Sequence, residues 1–320
     1  VKLATLWHRG EARLAAPGKG AFVDLNRAYA AMLRQTGASD PVRQASYELP
    51  SSLVSLIGLG DAGLAAARRA ADYALGLDSD VADDGLFIGE GAAFCPVIPD
   101  APRFLCVGRN YLKHAEEAGK TKNDVPILFV RFPSSLIGHR QPMIRPQASV
   151  CLDWEVELAF VIGRHCRHVK RADAMDVVAG YSVFNDGSVR DFQSRGVQWT
   201  AGKNFYQTGP FGPFYTTRDE IADPHDLQLT THVNGIEVQN SNTAHMIYNI
   251  GELIEHITTW TPLQPGDVVV TGTPEGVGMA RNPPWYLKAG DTVRVEVEKL
   301  GVLENPVVDE VPAADQRAAA

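Results

Sequence analysis

The sequence predicts an α+β protein: a strand-rich body preceded by a smaller segment of helical character. Two observations carry this. From Phe104 onward, short apolar runs rich in β-branched residues alternate with Gly, Pro and Asn punctuation, at 104–107, 127–131, 155–162, 178–184, 229–233, 267–271 and 292–298. Residues 1–98 are instead alanine-rich, with a helical stretch at Gly63–Leu75, and Pro96, Pro99 and Pro102 separate the two parts. One helix is expected in the body over Ile247–Thr259, because Ile250, Leu253, Ile254 and Ile257 recur at helical spacing. The expected division is a small N-terminal α/β domain (1–98), a large domain (103–310) and a flexible alanine-rich tail (311–320).

Composition narrows the class. The chain has 320 residues, 45% hydrophobic and 21% charged, as a globular protein should. Its net charge of −8 gives no electrostatic footprint for nucleic acid or an acidic membrane. No apolar run approaches the roughly 20 residues that span a bilayer. The first residues, with His8, Arg9, Glu11 and Arg13, do not pattern as a signal peptide, so a cytoplasmic location is expected. Cys95, Cys106, Cys151 and Cys166 form no C-x-x-C pair and read as reduced core residues. His165-Cys166-Arg167-His168 lacks the second ligand pair a zinc site needs.

Gly58-Leu59-Gly60-Asp61-Ala62-Gly63 matches the dinucleotide fingerprint G-x-G-x-x-G after the apolar run Leu53–Ile57, with Asp78 downstream. Yet no second apolar strand precedes Asp78, and too little chain remains before the prolines for half of a doubly wound sheet. A glycine-rich turn between two packed helices is the expectation. Dinucleotide binding through Gly58–Gly63 is the remote alternative.

The chemistry centres on Asp153-Trp154-Glu155-Val156-Glu157-Leu158-Ala159-Phe160-Val161-Ile162-Gly163. On a strand, Glu155 and Glu157 project to one side. Two like charges in an apolar setting need a cation or a shared proton. Glu-x-Glu is also a common wet face, as in Arg294-Val295-Glu296-Val297-Glu298-Lys299, where basic neighbours answer the charge. Gly180–Asp186 is an apolar strand ending in a third carboxylate, and three oxygen ligands suit Mg²⁺ or another hard divalent ion. Asp186 reads equally as a turn residue before Val189–Phe192. His114 and Glu117 fall on one helical face, where a carboxylate holding one ring nitrogen leaves the other as a base; an exposed histidine in a charged helix has the same pattern. Lys203, in Trp199–Phe205, reads as an oxyanion-stabilising cation or a surface lysine. Val268–Gly278 runs from a strand into a glycine-rich loop whose N–H groups and Thr273 hydroxyl suit a small carboxylate.

In order, G-R-N-Y-x-x-H-x-x-E, E-x-E, N-D-x-x-x-R-D-x-Q, G-K-N-F and T-G-T-P-x-G-V-G resemble the fumarylacetoacetate hydrolase superfamily, over about residues 103–308. The resemblance implies a mixed β-roll catalytic domain, a homodimer, and an Mg²⁺ or Mn²⁺ ion, with Ca²⁺ as a crystallographic substitute. It makes Glu155, Glu157 and Asp186 the metal ligands, His114 and Glu117 a catalytic dyad on a mobile lid around 111–124, and Lys203 the active-site cation. Arg190, Gln193 and Thr273 would contact the 2-keto acid end of the substrate, with Arg109 and Tyr111 also in its binding site. The chain departs from the family at Arg131, where many members carry lysine; a bidentate carboxylate binder there would alter substrate choice.

The resemblance thus implies a metal-dependent hydrolase that cleaves a carbon–carbon bond in an acylpyruvate- or fumarylpyruvate-like 2,4-diketo acid by way of pyruvate enolate, as in aromatic catabolism. His114, oriented by Glu117, would deprotonate the attacking water, and Lys203 would stabilise the negative charge that develops. The alternative on the same site is an oxaloacetate-type decarboxylase or tautomerase, or a hydratase.

Overall fold

The computed structural model describes residues 1–18, 20–77, 85–117, 119 and 121–311. Two sheets dominate. In the larger, twelve-stranded sheet the path runs Phe87–Gly89, Ala21–Asp24, Glu11–Gly18, Lys2–His8, Gly209–Thr217, Val178–Asn185, Val156–Ile162, Val268–Val270, Phe104–Gly108, Ile127–Val130. The five-stranded sheet is ordered Ile236–Asn242, Gln228–Val233, Thr292–Val297, Gly301–Asp309, Met143–Arg145. This mixed α+β architecture agrees with the expected class, and all seven expected strands are present within a residue or two at each end.

Every residue of Val156–Ile162 is buried, because the strand has apolar material on both faces. Val156, Leu158, Phe160 and Ile162 join a core with the helix Ile250–Trp260 and the smaller sheet. Ala159 and Val161 point the other way, into a core shared with the N-terminal helices. Glu157 has the parity of that second set, so its carboxylate emerges from a wholly buried strand. Helix Ile250–Trp260 starts later than its periodicity suggests. Asn249 and Glu252 form a capping box there, while the Ile247 N–H donates to the Asn110 carbonyl at 2.7 Å.

The N-terminal hundred residues contain more strand than their alanine content predicts. Lys2–His8 and Glu11–Gly18 form a hairpin whose two turn residues, Arg9 and Gly10, both have positive φ (53° and 86°), as a type I′ turn requires. Lys2–His8 then pairs with Gly209–Thr217, Lys2 opposite Thr216. Gly209–Thr217 has two prolines and two glycines, which hide it from a propensity reading, and Ile236–Asn242 follows an Asn234-Gly235 hairpin turn.

Leu53–Gly58 and Gly60–Gly76 are two helices meeting at Gly60 (φ 58°), the expected packed pair. The apolar run before the glycines is therefore a helix, not the strand a dinucleotide fingerprint needs. Asp78 and the alanine-rich tail from 312 onward lie outside the described residues. Cys166 and Leu263 form an isolated β-bridge, and no metal-binding group arises around His165 and His168 among the described residues.

Candidate active site

Antiparallel register builds the acidic centre. Val156 lies opposite Asn185, and the Asp186 N–H donates to the Glu155 carbonyl at 2.9 Å, which sets Asp186 beside Glu155. Glu155, Glu157 and Asp186 are all buried, and each offers an oxygen within 4.8 Å of the others. The second Glu-x-Glu pair behaves as a wet face: Arg294 answers Glu296 at 2.8 Å and both side chains are partly exposed.

Three cations surround the triad. Lys203 Nζ donates to Glu155 Oε2 (2.8 Å) and Asp186 Oδ2 (2.6 Å). Arg190 reaches Asp153 through Nε (2.8 Å) and Glu155 through Nη1 (2.5 Å). Arg131 Nη1 binds Asp186 Oδ1 at 2.5 Å. Burial works against the Glu155 charge, but Lys203 and Arg190 outweigh it and hold the carboxyl well below its usual range. Burial likewise opposes the Lys203 charge, and Asp186 and Glu155 raise its pKa regardless.

Glu157 differs. Its Oε2 accepts from the Gly272 N–H at 2.6 Å, and it has no cation partner within ion-pair distance among the described residues. Burial, then Asp186 and Glu155, drive its pKa well above the ordinary value. Counting Asp153 with the triad, four buried carboxylates face three buried cations, so one negative charge is unanswered. An all-oxygen donor set with a deficit of positive charge fits a hard divalent ion. The triad is where it would sit.

His114 and Glu117 come together as expected: Nδ1 lies 2.8 Å from Glu117 Oε1, leaving Nε2 free. Glu117 Oε2 accepts from the Gly276 N–H at 3.0 Å, docking the helix Leu112–Glu117 onto the glycine loop. Gly276 has φ 98°, and a Cβ there would lie 2.2 Å from the Val238 carbonyl oxygen, so only glycine fits. His114, Arg109, Glu155, Glu157, Arg190, Gln193, Lys203 and Thr273 line one cavity of about 230 Å³.

Two of the expected substrate contacts are placed elsewhere. Arg131 does not line the cavity but stands behind Asp186, with its donors taken by Asp186, the Gly187 carbonyl, Thr208 and Ser135. It holds Asp186 and does not face the cavity, because its side chain is wholly buried against the Gly209 backbone. Tyr111 is also fully buried outside the cavity lining, its pKa raised by burial and by Glu157.

The sequence reading overlooked Asp153 and Trp199. Asp153 accepts from the Gly278 and Met279 N–H groups (2.7 and 2.9 Å) and from Arg190, joining the acidic strand to the glycine loop. Its signal was available, since Asp153, Glu155 and Glu157 share one strand parity. Trp199 lines the cavity beside Arg109.

Arg109 has φ 53°, its guanidinium stacks 5.1 Å from the Trp199 ring centroid, and it forms no ion pair among the described residues. Arg190 Nη2 is buried without a hydrogen-bond partner. Such a donor costs about 1–3 kcal/mol until a ligand satisfies it.

Residues 103–308 match the family described as Fumarylacetoacetate (FAA) hydrolase C-terminal, and the chain belongs to that family. Over 261 residues it is 41% identical to the oxaloacetate tautomerase Fahd2a, mitochondrial, of Rattus norvegicus, covering 81% of this chain and 80% of the relative. Among solved structures, it is similar to a fumarylacetoacetate hydrolase from psychrophilic Exiguobacterium antarcticum, with TM-score 0.74, 30% identity, and 97% and 99% of the two chains covered. A maleylpyruvate hydrolase from Sphingobium sp. SYK-6 gives TM-score 0.70 at 28% identity, covering 97% and 100%. The chain is thus an enzyme of a superfamily whose members include hydrolases, isomerases and tautomerases. No helix among the described residues is long and apolar enough to cross a membrane.

Proposed function

We propose that the protein is a divalent-metal-dependent tautomerase of a short 2-oxo dicarboxylate of the oxaloacetate type. The observation that carries this is a pair of guanidinium donors unanswered among the described residues, Arg190 Nη2 and Arg109, in one small cavity with Glu155 and Glu157. Two cationic donors in a cavity of this size suit a ligand with a carboxylate at each end. The 41% identity to an oxaloacetate tautomerase supports the same reading.

Glu155, Glu157 and Asp186 would hold the ion, Mg²⁺ or Mn²⁺, which supplies Lewis acidity to the 2-oxo group when bound. Arg190 Nη2, with Gln193 and Thr273, binds the C1 carboxylate, and Arg109 binds the C4 carboxylate. His114 Nε2 takes a proton from C3. The C3–H electron pair becomes the C2–C3 double bond, and the carbonyl pair moves to oxygen, which is then protonated to give the enol. No other bond breaks and no water is consumed. Glu117 holds the imidazole in the tautomer that frees Nε2. Lys203 fixes Glu155 and Asp186 in place and, with Arg190, favours the ionised form of Glu155.

The second reading is hydrolysis of an acylpyruvate, favoured by the His114–Glu117 pair, which is equally able to activate water. One assay separates them. Enol oxaloacetate and an acylpyruvate are incubated with enzyme and Mg²⁺ beside enzyme-free controls, following enol absorbance, pyruvate and CO₂. Accelerated enol loss without pyruvate or CO₂ is the expected result. Pyruvate from the acylpyruvate assigns the hydrolase, and CO₂ from oxaloacetate above the control assigns a decarboxylase. A homodimer and a reducing compartment such as the cytoplasm belong to the same proposal, the latter supported by four unpaired cysteines among the described residues.

A further inference from the structure

Trp199 forms part of the cavity wall with Gly108, Arg109 and Phe129. Its indole lies so close to Gly108 that a Cβ there would sit 2.0 Å from Cζ3. Phe129 meets the ring edge-on at 5.6 Å between centroids, and the Arg109 guanidinium rests 5.1 Å from its centroid. The wall is also tied to the acidic centre. Trp199 immediately precedes the short helix Thr200–Lys203, its carbonyl accepts from the Lys203 N–H at 3.2 Å, and Lys203 Nζ holds Glu155 and Asp186. One helical turn therefore sets how far the indole and its stacked cation stand from the carboxylates.

From these contacts the geometry points to Trp199 as the specificity-determining residue that limits the length of the 2-oxo acid, with Gly108 as its seat. This rests on the reading of the cavity as a 2-oxo dicarboxylate site. The indole fills space that a longer chain needs, and it positions the guanidinium that meets the distal carboxylate. Removing it opens the cavity by a large aromatic side chain and frees Arg109 to retreat. Apolar walls discriminate by about 10–200-fold per methylene.

The test measures Mg²⁺-dependent binding, by calorimetry or thermal shift, of oxalate, oxaloacetate, 2-oxoglutarate and 2-oxoadipate to the intact protein, Trp199→Ala and Trp199→Phe. The unaltered protein should prefer oxaloacetate over 2-oxoadipate by at least about tenfold. In Trp199→Ala that preference should vanish or invert, with oxalate binding retained within a few-fold; Trp199→Phe should fall between and decides the matter if the alanine variant does not fold. An unchanged length order in both variants overturns the proposal. So does a parallel loss of every ligand, oxalate included, because the indole then supports the ion site instead. Turnover is read separately. If the length order shifts but oxaloacetate is not tautomerised, the functional reading fails and the length limit stands; normal turnover with an unshifted order does the reverse.

Discussion

The Gly276 N–H donates to Glu117 Oε2 at 3.0 Å, so the carboxylate that orients His114 also fastens its helix to the glycine loop. Position and ring orientation of His114 are thereby set by one side chain. Glu117→Gln keeps the size but loses the charge, and its amide offers an N–H toward Gly276 or His114 where an acceptor is needed. Turnover should fall by roughly 10²-fold, the usual worth of a positioned base, while Mg²⁺-oxalate affinity stays within a few-fold. Steady-state kinetics with calorimetry checks both, and full retention of turnover removes the dyad from the mechanism.

Glu157 predicts how pH acts on the metal-free protein. Its folded-state pKa is raised above the ordinary 4.5, so its stabilising contribution is fully present below 4.5 and is lost as pH rises through the folded value. Melting temperature in EDTA should therefore fall across that window, and Mg²⁺ should offset the fall. Glu157→Gln should flatten the EDTA profile and abolish the Mg²⁺ response. An undiminished Mg²⁺ shift in that variant would remove Glu157 from the ligand set.

Arg131 predicts a stability loss. Lysine offers one ammonium where the guanidinium serves Asp186, Gly187, Thr208 and Ser135 together. Arg131→Lys should cost about 1–3 kcal/mol in urea unfolding, from buried acceptors left unpaired. Mg²⁺ affinity should weaken as well, since Asp186 loses its fixed orientation.

His139 predicts a separate sensitivity to acid. Its ring packs edge-on to Phe94 at 5.0 Å and its Nδ1 accepts from the Glu304 N–H at 3.1 Å. Burial and then Arg140 push its pKa down to about 4. The neutral form is favoured in the folded state, so stability is fully present above pH 6.5 and is lost as pH falls toward 4. His139→Gln should shrink that loss, read as the change in unfolding midpoint between pH 7 and pH 4.5.

Much of the site was legible in the chain because strand parity is a strict geometric rule. Glu155 and Glu157 had to share a side, and the apolar strand before Asp186 had to end near them if the two strands paired. Partner choice was not legible. Nothing local distinguishes an arginine aimed at substrate, as expected of Arg131, from one aimed at the back of a buried carboxylate, since that depends on which loop packs behind Asp186. The strands at 2–18 were hidden for a similar reason. Their alanines suit a helix locally, and only pairing with one another and with 209–217 makes the extended form preferable.

The pairing of Lys2–His8 with Gly209–Thr217 has a consequence for modularity. The family's C-terminal domain matches from residue 103, yet Gly209–Thr217, well inside that region, takes one of its neighbours from the first eight residues. Cutting the chain at the family boundary would bare a row of backbone donors and acceptors, a ready template for intermolecular strand addition. It would also remove the N-terminal leucines and alanines from the core that Phe184 and Phe211 share with them. The leading segment is thus a structural part of the sheet that carries the site, and the chain should unfold across residue 100 as one cooperative unit.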